Sequence, residues 1–104
     1  MKITKDLIVK IDDAEFVFSK PDAKQIEEFS RLQRDGDFNS QLLHVMGTLK
    51  SVTGVTDDNG KAIAPGEILD MTLPYDFIVQ LYREWNIALT TLISGKRLDP
   101  EKKD

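Results

Sequence analysis

The chain has no cysteine among its 104 residues. That absence excludes disulfide staples, thiolate metal sites and cysteine nucleophiles together. His44 is the single histidine. A general base needs an orienting partner and a nucleophile in reach, and a zinc site needs three or four ligands. One histidine without cysteine supplies neither set. The glycines are scattered singly, at Gly36, Gly47, Gly54, Gly60, Gly66 and Gly95, so no Walker or dinucleotide-binding loop is written here. No run approaches ~18 apolar residues, and Met1–Asp6 starts with charge where a signal peptide carries an apolar core. The expectation is a chain with neither a secretory signal nor a membrane span. Positive charge is also short, with 14 Lys and Arg against 18 Asp and Glu for a net charge of −4. A mildly acidic surface without a basic stripe repels phosphate backbones, which argues against nucleic-acid binding.

What is present describes one globular domain. Hydrophobic residues make up 40% and charged residues 31%, which is ordinary for a packed fold and too apolar for general disorder. Leu7, Val9 and Ile11 alternate with Ile8, Lys10 and Asp12, a period of two that predicts a strand. Asp12-Asp13-Ala14 is a turn candidate, since Asp side chains bond their own backbone two residues on. Glu15–Ser19 reads as the second strand of a hairpin, with Phe16 and Phe18 on one face. A lone hairpin is barely stable in water, so those rings must pack on something else.

Ser19-Lys20-Pro21-Asp22 then changes the period. Ile26, Phe29 and Leu32 share one side of a helix over Ala23–Arg34, with Lys24, Glu27, Glu28, Arg31 and Arg34 opposite. Asp35-Gly36 ends it. Asp37 caps a second helix predicted to run to about Val52, with Phe38, Leu42, Val45, Met46, Leu49 and Val52 on one half of its wheel. His44 falls on the other half, without an acidic neighbour at helical spacing, and reads as a solvated side chain. Thr56–Gly66 holds Asp57-Asp58-Asn59-Gly60 and reads as an exposed hairpin, for which Asn-Gly favours a type I′ turn, or as a mobile loop. The same acidic run fails as a calcium loop, because the fifth position is Lys61 and the sixth Ala62. Thr72 caps the last helix, Pro74 sits in its first turn, and Gly95 stops it. The fold class expected is α+β, mainly α: an N-terminal β-hairpin packed against three helices in a domain of residues 1–95. Residues 96–104 form a charged, frayed tail.

The last helix carries the most information. Phe77, Ala88, Leu81, Leu92, Trp85, Ile78, Leu89, Tyr82 and Ile93 fill an arc of roughly 160°, which Val79 widens toward roughly 200°. Ile87 stands alone on the polar side. A helix lying on one side of a core needs little more than ~100°. Either this helix is the central buried element, or another chain covers part of it. Tryptophan, tyrosine and branched aliphatics on a surplus face are interface residue types. Val79, Tyr82, Ile87, Ile93 and Trp85 are the candidate partner-binding residues. Catalytic, cofactor-binding and metal-binding residues are expected to be absent.

Three stretches resemble one known family. Glu15-Phe16-Val17-Phe18-Ser19-Lys20-Pro21-Asp22-Ala23-Lys24-Gln25-Ile26 is similar to the strand-then-helix opening of small bacteriophage tail assembly chaperones. Leu49-Lys50-Ser51-Val52-Thr53-Gly54-Val55 resembles that family's helix ending. Ile68–Phe77 looks like its approach to the last helix. Thr56–Gly66 is longer than the family pattern, a departure that bears on loop geometry. The resemblance implies a non-catalytic, self-associating protein of the infected bacterial cytoplasm, absent from the mature virion. It would coat the tape measure protein and help the tail tube protein polymerise around it, as a homo-oligomer with no nucleic-acid or membrane partner. A small head-tail or tail-completion adaptor retained in the virion is the alternative.

Overall fold

The computed structural model describes residues 1–94. The tail at 96–104 and the stop at Gly95 lie outside the described residues. The fold is α+β and mainly α, as the sequence suggests. Among the described residues it holds one strand and one helix beyond the hairpin and three helices expected. Among the described residues, β1 (Asp6–Ile11), β2 (Ala14–Ser19) and β3 (Leu49–Thr53) form an antiparallel sheet in the order β1-β2-β3. The helices are α1 (Ala23–Asp35), α2 (Phe38–Met46), α3 (Pro65–Leu69) and α4 (Tyr75–Ser94).

The hairpin pairs Leu7 with Phe18 and Val9 with Phe16, so four apolar side chains share one face and all are buried. Asp12-Asp13 makes the two-residue turn, and Asp12 takes a left-handed φ of 52°, a conformation Asp tolerates better than most residues. The opposite face presents Ile8, Lys10, Ser51 and Thr53 to solvent.

The first helix starts where its cap predicts. Asp22 Oδ1 accepts the Gln25 amide at 2.8 Å, and Gln25 Oε1 accepts the Asp22 amide at 2.9 Å, a reciprocal capping box. Phe29 is its buried anchor. Asp37 caps α2 by accepting the Ser40 amide at 2.7 Å.

The second helix is shorter than expected. It stops at Met46, with the Gly47 amide bonded to Leu43 O and the Thr48 hydroxyl to Val45 O. The segment expected to continue it is instead β3, pairing Leu49 with Phe18 and Val52 with Phe16. Leu49 and Val52 are three residues apart, the spacing of a helix face, yet both turn toward the core. A break in register between Val17 and Phe18 leaves Lys50 as the extra residue. Such a bulge converts a spacing of two into three.

The Asn59-Gly60 turn differs from the expected type I′. Type I′ needs positive φ at both central residues, and Asn59 is not among the positive-φ residues. Asp58-Asn59 are central instead, with the Gly60 amide bonded to Asp57 O and Gly60 at φ 80°. The Thr56–Ala62 bridge closes this small hairpin. Downstream, α3 opens on Pro65 and buries Ile68. Thr72, expected to cap the last helix, closes α3 instead, its hydroxyl donating to Glu67 O at 3.0 Å. The last helix begins after Pro74, whose carbonyl accepts the Ile78 amide at 3.2 Å.

The core lies between the inner sheet face and the helices. Phe16, Phe18, Leu42, Met46, Ile68, Ile78, Leu81 and Trp85 are almost wholly removed from water. From α4, Ile78, Leu81, Tyr82, Trp85 and Leu89 point inward, a stripe of three- and four-residue steps that matches one helix face.

Candidate interaction surfaces

His44, Glu28, Arg31 and Asp57 are each engaged in structure. His44 is half-buried, its ring stacked 5.8 Å from that of Phe29 with 21° between planes. That corrects the solvated placement expected from the wheel. On α1, Arg31 Nε donates to Glu28 Oε2 at 3.1 Å, and Arg31 Nη2 to the second oxygen. This hydrogen bond holds the Glu28 carboxyl below, and the Arg31 guanidinium above, their ordinary values. Asp57 Oδ1 accepts the amides of Asn59 at 2.9 Å and Lys61 at 3.0 Å, so the carboxylate shapes its turn. Among the described residues, no group of three or more His, Cys, Asp or Glu side chains could hold a metal ion. No described helix is long and apolar enough to cross a membrane.

The five candidate partner-binding residues do not form one surface. Trp85 is 2% exposed and packs edge-on to Phe29 with ring centroids 5.1 Å apart. Tyr82 is 9% exposed; its hydroxyl donates to Gln41 Oε1 at 2.8 Å and its ring meets the edge of Phe38 at 5.4 Å. Both belong to the subunit's own core, which corrects their placement on a surplus outer face. The reason is the sheet: α4 lies along β1 with α2 beside it, so most of the wide apolar arc is covered from two directions. Val79 and Ile87 are half-buried. Ile93 alone of the five is open to water, at 71%.

Two grooves with apolar lining stand out among the described residues. At the C-terminal end of α4, Ile8 (50% exposed) and Leu92 (46%) line one groove with Ala88 between strand and helix, and Ile93 follows Leu92 in the chain. Asp6 and Lys20 flank it. Ile8 and Leu92 were missed as site residues. Ile8 is readable in hindsight as the apolar residue out of phase with Leu7 and Val9. Leu92 shares its wheel position with buried residues and is exposed because the core ends near Leu89. The second surface lies at the other end of α4. Val55, Ile63, Leu73, Pro74 and Phe77 enclose a groove of about 320 Å³, with Thr56, Asp57 and Asp58 at its lip.

No family model, curated protein or solved structure matches this chain.

Proposed function

We propose that this domain is a non-catalytic binding module that shields apolar helical chains, acting as a phage tail assembly chaperone for a tape measure protein. The observation that carries the reading is the exposed apolar end of α4, where Leu92 lines the β1–α4 groove together with the edge-strand residue Ile8 and the next residue, Ile93, is open to water. A tape measure is a long helical chain whose apolar stripe aggregates when bare. A groove between a strand and a helix, lined by branched aliphatic residues and rimmed by charge, suits an amphipathic helix laid across it. Scattered single apolar residues need no such explanation, whereas a grouped set does. The resemblance of Glu15–Ile26, Leu49–Val55 and Ile68–Phe77 to the chaperone family supports the same reading. Transient cover of this kind also calls for moderate affinity, because the tail tube protein must replace the chaperone.

The test is co-expression with the tape measure protein of the same genome. The wild-type chain keeps that protein soluble, and Leu92→Glu with Ile93→Glu loses the effect while its melting temperature holds. Undiminished rescue by the double variant would refute this surface. Persistent, stoichiometric presence in purified virions would favour the retained adaptor instead.

A further inference from the structure

We propose that the groove at the N-terminal end of α4 receives the Met1–Lys5 arm of a second copy of this chain, joining copies head to tail. This contact uses neither Leu92 nor Ile93 and stands apart from the tape measure reading. The groove has an apolar floor of Val55, Ile63, Leu73 and Phe77, and two exposed acidic residues at its lip, Asp58 and Asp57, the latter with Oδ1 bonded to its own turn. An apolar pocket with an acidic lip selects an apolar side chain flanked by cations. The arm has that composition: Lys2 and Lys5 bracket Ile3, and none of the residues Met1–Lys5 is acidic. All five residues are exposed outside any helix or strand, with Ile3 at 74% and Met1 fully open.

The arm cannot reach its own groove. Gly54, next to the groove residue Val55, lies against the Asp12-Asp13 turn, where an added Cβ would meet Asp13 O at 2.7 Å. The groove is therefore near the Ile11 end of β1, whereas the arm leaves from the Asp6 end. Five residue steps of strand separate those ends by about 17 Å. Ile3 is only three residues from Asp6, a reach of about 10 Å. The complementary surfaces thus meet only between copies. Each copy carries one arm and one groove, so the contact is heterologous and builds chains or closed rings.

Sedimentation velocity of the full chain tests this. The wild type sediments as a salt-sensitive assembly at micromolar concentration. Ile3→Glu, which breaks the arm, and the pair Thr56→Lys with Asp58→Lys, which recharges the exposed lip, each weaken association at least about tenfold with unchanged thermal melts. Mixing the two variants yields a dimer and nothing larger, because the intact arm of one still fits the intact groove of the other. A monomeric wild type overturns the proposal. So does association indifferent to Ile3→Glu, or lost only when Leu92 and Ile93 are replaced.

Discussion

Tyr82 and Ile93 are both apolar faces of α4, yet replacing them should have opposite consequences. A buried aromatic ring removes about 150–250 Å² from water, worth roughly 5 kcal/mol at ~25 cal/mol per Å². Tyr82 is 9% exposed and bonded to Gln41, so Tyr82→Ala also strips Gln41 Oε1 of its donor. We expect a loss of about 3–5 kcal/mol, a large part of the ~5–15 kcal/mol available to a domain. Ile93 is 71% exposed. Fully burying an isoleucine is worth about 1.5–3 kcal/mol, so less than a third of its surface contributes under ~1 kcal/mol, and Ile93→Glu should be nearly neutral for folding. Urea denaturation followed by the fluorescence of Trp85, the single tryptophan, measures both. With a slope of about 1–3 kcal/mol per molar urea, the Tyr82→Ala midpoint should fall by at least ~1 M, while that of Ile93→Glu moves little. Comparable midpoints, or a larger loss for Ile93→Glu, would refute the division of α4 into a core-facing stripe and an open end.

Two further outcomes follow from the backbone and the caps. Gly54→Ala should lower stability by more than ~1 kcal/mol, since the site holds φ at 82° and a left-handed alanine alone costs about that much before the clash with Asp13 O; thermal melting checks it. The Ser40 amide, donating to the Asp37 carboxylate, lowers that group's pKa. The cap therefore stabilises the fold above the ordinary carboxylate range and is lost as pH falls through the lowered value. Asn caps without a charge, so melts from pH 6 to pH 3 should show the stability gap between wild type and Asp37→Asn shrinking below about pH 4.

The parts legible in the sequence were those whose signals are local. The Leu7-Val9-Ile11 alternation, the Asp22 and Asp37 caps and the long apolar period after Pro74 each act within one or two turns of chain. They placed β1, β2, α1 and the start of α2. The third strand was hidden by its bulge, because Leu49 and Val52 display helical spacing while pairing with Phe18 and Phe16. The short α3 buries one side chain, too few for any period, and Thr72 carries the same capping chemistry whether it serves the helix before or after it. The binding residues were less legible. A wheel tells how wide an apolar arc is, but which part is covered depends on β1 and α2, elements distant in sequence. Tyr82, Trp85 and Ile93 look alike on the wheel; the sheet and the first two helices separate them.

The middle position of β2 has a consequence for how the protein is made. Its outer neighbour β3 follows only after both α1 and α2, and α4, which closes over β1, comes last. At roughly 5–20 residues per second, a nascent hairpin waits several seconds on the ribosome before its cover is synthesised. During that interval Phe16 still lacks Phe77 and the rest of α4, so the newborn chain is itself, briefly, in need of shelter.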